Sequence, residues 1–386
     1  MSSDPKSMLN NRHRIFCAAL FAFCLFLGVG RSAQELPIRL SDQEFWKLVT
    51  DFSERGGSFL SDNFVSNERS FQHALTELAR DRESAGAYLG VGPEQNFTYI
   101  VALKPRIAFI FDIRRQNMIQ HLMYKALFEL SADRAEFLSR LFSRAKPDNL
   151  DPGADISELF RAFAEVSPET DLFHANLRAI KDSLVDDHGF TLTVDDETSL
   201  EYVFSAFFIG GPNLAYSRTF PPGIMPSFQE LMTEVDENGT HRSFMATEDT
   251  YQSMRQFELN NLLVPLVGDF AGPTAIRSVG DYLKERGTWV TAFYVSNVEQ
   301  YLFRDPEAWK NFYSSVATLP LRPGSVFIRA LIKTRNGQFS PLPVVRPGYS
   351  HLEVALSPIT ELVEAFNSDL VHEYPDILVN QVIPAQ

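Results

Sequence analysis

The chain has 386 residues, 45% hydrophobic and 22% charged, with a formal net charge of −14, so it can bury a large core and is neither disordered nor fibrous. Phe outnumbers the other aromatic residues, 33 against 3 Trp and 12 Tyr, so the interior is filled mainly by rings with no polar atom to satisfy. Acidity on this scale repels phosphate backbones and anionic lipid, which excludes nucleic acid as an expected partner.

At the amino end Lys6, Arg12 and Arg14 precede an uncharged run from Ile15 to Gly30, followed by the small residues Ser32 and Ala33. This is the pattern of a secretory leader. The run is short against the roughly 20 residues that span a bilayer, so cleavage near Ala33 is expected over retention as an anchor. The body is then exported, periplasmic or extracellular, and touches a membrane only through an uncleaved leader. Both cysteines, Cys17 and Cys24, lie within the leader, so the mature chain has no disulfide and no thiolate ligand. Its removal leaves 31 basic and 48 acidic side chains, a net charge of −17.

"SDQEFWKLVTDFS" opens a helix with a capping box at Ser41 and Glu44, and "SNERSFQHALTELARD" gives a second amphipathic segment. "GAYLGVG" then reads as a strand, Pro93 to Leu103 as a helix and "IAFIFDI" as a second strand, which is the minimal parallel unit. Helical spacing runs from Gln116 to Arg144 with a break at Ser131. A mainly helical insertion follows, including the Pro- and Gly-rich "IGGPNLAYSRTFPPGIMPS" as a long ordered loop or lid. Within it "VDDHGFTLTVDDE" lacks the register of a calcium loop and is expected as a solvated acidic hairpin, so no metal is expected. Strand, helix, strand return in "LLVPLVGDF", "PTAIRSVGDYLKERG" and "TWVTAFYVSN", with a further helix from Pro306 to Ala317. "SVFIRALIKTRNGQFSPLPVV" gives a hairpin around Asn336-Gly337, and "ITELVEAFNSDLV" an amphipathic helix in the tail.

The first parallel unit carries the chemistry. Gly90 and Gly92 let the backbone turn sharply at the strand's carboxyl edge, and the helix opening at Glu94, Gln95 and Asn96 offers unpaired N–H groups. Asp112, 20 residues after Gly92, ends the next strand, where a carboxylate accepts from a ribose diol. The turn could equally serve packing alone, and Asp112 could cap the helix that follows. Arg114 belongs to the same edge. A dinucleotide is disfavoured, because the third glycine is missing and Glu94 stands where a pyrophosphate needs positive potential. A ribose-bearing cofactor without phosphate, such as S-adenosylmethionine, escapes that repulsion. The later strand ends bring Asp269, Ser296, Asn297, Glu299 and Tyr301 toward the same edge, where open parallel sheets bind ligands. No G-x-S-x-G occurs, so serine hydrolase chemistry has no support, and no catalytic residue is assigned.

Gly90-Val-Gly92, Asp112, "VGDFAG" and "FYVSN" together resemble class I Rossmann-like S-adenosylmethionine-dependent methyltransferases, although Tyr88 stands where an acidic residue is usual. The whole chain is also similar to an uncharacterised bacterial family of exported proteins. The resemblance implies a seven-stranded sheet ending in an antiparallel hairpin. It also implies a cofactor held by Gly90, Gly92 and Asp112, with Asp269 or Asn297 bordering the adenine or acceptor. The expected fold is therefore α/β, a mostly parallel doubly wound sheet with a C-terminal antiparallel hairpin, an N-terminal helical cap and a large helical insertion. The expected divisions are a leader at 1–33, the cap at 34–84, the first Rossmann-like half at 85–145, the insertion or lid at 146–258, the second half at 259–350 and a tail at 351–386. Two functions remain open: a methyltransferase-like enzyme acting on a small molecule or envelope component, and a non-catalytic ligand-binding or scaffold protein of the cell envelope.

Overall fold

The computed structural model describes residues 35–69, 71–79, 86–148, 150–151, 153–216, 225–334 and 350–378. The expected leader, residues 217–224 of the Pro- and Gly-rich segment, and Asn336-Gly337 lie outside the described residues. Among the described residues no helix is long and apolar enough to cross a membrane.

Three apolar stretches become wholly buried strands: β1 (Ala87–Val91), β2 (Ile107–Asp112) and β3 (Leu263–Val267). Continuous burial is what a parallel sheet covered on both faces requires. With β4 (Val290–Ser296), β5 (Val326–Thr334) and β6 (Ser350–Pro358) they form one sheet in the order β3-β2-β1-β4-β5-β6. Every neighbouring pair is parallel except β5 and β6. Pro265, which has no N–H to donate, is accommodated because β3 lies at the sheet's margin.

Helices cover both faces. β4 shows the division by alternation: Tyr294 packs on Tyr99 of α3 (Gln95–Leu103), while Phe293 packs on Phe312 of α13 (Pro306–Val316). On the Phe293 side, Phe109 meets Phe52 of α1 (Asp42–Phe52) and Tyr282 of α11 (Ala275–Glu285). The capping box of Ser41 and Glu44 starts α1. Before β1 come a 3-10 turn, Phe71–His73, and α2 (Ala74–Ala79). α4 (Arg115–Leu130) follows β2, breaks at Ser131 and resumes as α5 (Arg134–Phe142).

The insertion is helical, with α6 (Ile156–Ala164), α7 (Thr170–Asp182), α8 (Val194–Gly210), α9 (Phe228–Met232) and α10 (Glu248–Leu259). α12 (Val298–Leu302) leaves β4, and α14 (Ile359–Asn367) follows β6. Sheet, cap and insertion belong to one compact unit, Leu36–Gln386.

Three expectations need correction. The sheet has six strands among the described residues rather than seven. The antiparallel partner of β5 is Ser350–Pro358, in register from Thr334↔Ser350 to Val326↔Pro358, a stretch assigned almost wholly to the tail, while the run directly after Asn336-Gly337 lies outside the described residues. Nor do residues 185–197 form an acidic hairpin: Ser183–Asp187 extends α7 as a π-helical turn, and Thr193 with Asp196 makes the capping box of α8.

His188, just past that turn, ties the insertion to the frame. Its Nε2 meets Glu129 Oε2 of α4 at 2.6 Å, and its Nδ1 meets Asp42 Oδ1 of α1 at 2.8 Å. Lys125 bonds the other oxygen of Glu129 at 2.7 Å. The hydrogen bond to Glu129 raises the His188 pKa above its ordinary 6.5. Burial alone would raise Glu129 and Asp42, but their partners, His188 among them, hold both below their ordinary values.

A raised histidine contributes stability that is complete below its unfolded pKa and is lost as pH rises through the folded value; the lowered carboxylates lose theirs as pH falls. The stability difference between wild type and His188→Gln in urea unfolding should therefore be widest at about pH 5 to 6.5 and shrink toward pH 9. An equal difference at every pH would show that His188 acts through packing alone.

Candidate functional site

The strand order reverses direction between β1 and β4. Chains leaving two such neighbours diverge to opposite faces and leave a crevice at their carboxyl ends, where ligands of open α/β sheets bind. A cavity of about 180 Å³ lies at that point, bounded by the loops after β1, β2, β3 and β4. Phe59, Asn63, Ser66 and Asn67 of the cap and Tyr216 also line it.

The two glycines of the first turn have different tasks. Gly92 lines the cavity at φ +75°, and a Cβ there would meet nothing within 4 Å. Its constraint is the backbone angle. Gly90 has none to spare on the packing side, since a Cβ would fall 1.9 Å from Asn96 Oδ1. Asn96 braces the turn: Nδ2 faces the carbonyl oxygens of Val91, Gly92 and Pro93 at 2.9, 3.2 and 2.7 Å, and Oδ1 accepts from Tyr88 at 2.8 Å. Tyr88 thereby orients Asn96. Behind the turn His121 donates from Nε2 to the Gly92 carbonyl at 2.8 Å, and burial lowers its pKa to about 4, so the ring is neutral.

Asp112 and Arg114 both line the cavity and occupy each other. Asp112 Oδ1 accepts from the Arg114 backbone N–H at 2.8 Å and from Nε at 3.0 Å, and Oδ2 accepts from Nη2 at 2.6 Å. Both groups are buried. The first of these bonds shapes the turn into α4, which begins at Arg115 without a side-chain cap. An ionised carboxylate has about four acceptor positions, and three are filled here.

Asp269, Ser296, Asn297 and Tyr301 line the same cavity. Asp269 accepts the Ala271 N–H, and its own N–H is held by Glu54, whose other oxygen caps α11 through Thr274 and Ala275. Ser296 ends β4 at φ +50°, a strained angle for a residue with a Cβ. Glu299 points elsewhere. It is buried against Arg329 at 2.5 and 2.9 Å and accepts from Tyr313, a structural ion pair beneath α12.

Glu94, Gln95 and Asn96 form a buried layer behind the cavity wall. Burial raises the Glu94 pKa to about 7, and its Oε1 accepts the Ser66 N–H at 3.1 Å. Gln95 Nε2 donates to Glu68 Oε2 at 2.8 Å and to Tyr99 at 2.9 Å. Glu68 also accepts from the Tyr294 hydroxyl at 2.7 Å and from Ser296 Oγ, and its burial raises its pKa. Sequence reasoning missed Glu54, Glu68, His121 and Tyr294. Each acts on a partner far away along the chain, and no local spacing announces such a pairing.

Structure thus brings Gly92, Asp112, Arg114, Asp269, Ser296, Asn297 and Tyr301 to one cavity, places Gly90, Glu94, Gln95 and Asn96 in its supporting wall, and leaves Glu299 out. Small-molecule pockets usually measure roughly 300–1,000 Å³, and this cavity is smaller than that with the side chains as they stand. Gly90→Ala should cost about 1–3 kcal/mol by displacing Asn96, and Gly92→Ala about 1–2 kcal/mol from its backbone angle alone. Denaturant unfolding checks the order, and a larger loss at Gly92 would contradict the bracing role of Asn96.

No curated protein matches the chain at a significant level. A family profile matches residues 63–151 and 213–357, more than half of the chain, and the stretch it skips holds α6, α7 and α8. By that match the chain belongs to the family described as a domain of unknown function, DUF7790.

Proposed function

We propose that the cavity between β1 and β4 binds a small ligand of the adenosyl type, with S-adenosylmethionine as its cofactor, and that the protein is a methyltransferase-like enzyme of an exported compartment. One observation carries this reading: four parallel strands deliver Gly92, Asp112, Asp269 and Ser296 to a single cavity at the switch point. S-Adenosylmethionine would supply a methyl group activated on a sulfonium. The chain's share is alignment and exclusion of water, which needs no diagnostic catalytic side chain. Gly92 lets a ligand approach bare backbone, Phe270 and Tyr301 supply apolar wall, and Asn297 and Asp269 offer polar groups on the acceptor side. The acceptor is a small molecule or an envelope component.

Fit is incomplete at one residue. Asp112 has a single acceptor position left, so it takes one hydroxyl, and holding a ribose diol requires Arg114 to give up part of its grip. That pair favours the second reading, a non-catalytic ligand-binding or scaffold protein of the cell envelope, in which the sheet is kept and the ribose site is closed. A leader at 1–33 fits either reading, and its removal is checked by the mass of the mature amino terminus.

Calorimetry with S-adenosylmethionine and S-adenosylhomocysteine separates the two. The enzyme reading expects a Kd tighter than millimolar, a threshold of about 4 kcal/mol, and at least a tenfold loss in Asp112→Asn. Absence of binding by both compounds at millimolar concentration rejects the cofactor and leaves the scaffold reading.

A further inference from the structure

Of the five hydroxyl-bearing residues that line the cavity, Ser66, Tyr294 and Ser296 gather around Glu68 and Gln95. All three turn their protons away from it. Tyr294 donates to Glu68 Oε1 at 2.7 Å, Ser296 donates to the same oxygen, and Ser66 donates to Gln95 Oε1. Glu68 itself is fully buried, and its second oxygen takes Gln95 Nε2. A carboxylate that only accepts fixes the direction of every bond around it. What these hydroxyls can still offer to a ligand is lone pairs.

Charge points the same way. Several buried carboxylates meet arginine, Glu299 with Arg329 and Asp112 with Arg114 among them, whereas Glu68, like Glu94 and Glu258, does not. The described partners of Glu68 are neutral donors. A buried carboxylate without a counter-charge is costly, and it makes its surroundings favour a cation. Asp112 and Asp269 line the cavity, while Arg114, committed to Asp112, is the one basic side chain among the described lining residues. Local potential is negative.

We infer that the corner formed by Ser66, Tyr294 and Ser296 receives an ammonium group of the ligand, with Glu68 beneath it as the residue that sets this specificity. An ammonium has three donors, no acceptor and the missing charge. A neutral polyol also donates, but it brings acceptors that find no proton at this corner and leaves Glu68 uncompensated. The strained backbone of Ser296 fits the same purpose, since it keeps the hydroxyl on Glu68 at the lip of the cavity. This inference rests on the switch-point cavity being the binding site, and it holds whichever ammonium-bearing ligand fills it.

The test uses ethanolamine and its neutral counterpart ethylene glycol, titrated into the mature chain while the backbone amide signals of Gly92 and Ser296 are followed by NMR. Ethanolamine should give saturable shifts at both amides, ethylene glycol none, and Glu68→Gln should weaken ethanolamine at least tenfold. Equal response to the two probes, or unchanged affinity in Glu68→Gln, overturns the inference. Should Glu68→Gln fail to fold, Tyr294→Phe serves instead: it removes one acceptor and should weaken ethanolamine severalfold, and full retention of affinity overturns the inference. Binding of ethanolamine without S-adenosylmethionine would reject the cofactor and leave the ammonium corner standing. Binding of S-adenosylmethionine without ethanolamine, together with equal affinity for 5′-methylthioadenosine, which lacks the amino-acid portion, would do the reverse.

Discussion

β1 and β4 lie side by side in parallel, yet the chain leaves them toward different helix layers, and the gap between their ends is the feature from which the rest follows. The gap would collapse if the loops around it were soft. Rigid braces prevent that: Asn96 and His121 hold the turn after β1, Arg114 locks the turn after β2, and Glu54 ties the loop after β3 to the start of α11. Each brace satisfies backbone groups that would otherwise stand unpaired beside a largely apolar core. What remains open between these fixed loops is the cavity.

The braces also distribute charge unevenly. Glu299 with Arg329 and Asp112 with Arg114 are close, buried, neutral pairs, and removal of either partner would strand a charge. Glu68 and Glu94 are handled by hydroxyl, amide and backbone donors, and burial raises the pKa of both. Both of these acids stand next to the cavity. A ligand entering there meets a wall whose dipoles are already oriented and whose charge is only partly balanced, which is the arrangement that discriminates between ligands by sign rather than by size.

Much of the frame was legible because local signals and burial agree. The continuous apolar runs of β1, β2 and β3, the capping box at Ser41 and the Gly-x-Gly turn followed by an aspartate each reflect a constraint acting within a few residues. Legibility stopped where a pairing depends on how the backbone folds. Nothing in "DIRRQN" tells that Arg114, two residues on, folds back onto Asp112. Glu68 sits in a polar stretch that looks like loop, and only the meeting of the cap with β4 turns it into the floor of a site. The strand Ser350–Pro358 was read as tail because a turn dipeptide fixes where a chain can reverse and leaves open which residues pair beyond it.

The skipped stretch in the family match sharpens this division. Apart from Phe59, the residues that line the cavity, and Glu68 below them, fall within 63–151 and 213–357, whereas α6, α7 and α8 do not. The insertion is nevertheless joined to the site's frame at both ends of α4. Arg115, next to Arg114, forms a bidentate pair with Asp196 of α8, and Glu129 at the far end holds His188. The cavity and the inserted helices are therefore separate in sequence and joined in space through the two ends of α4.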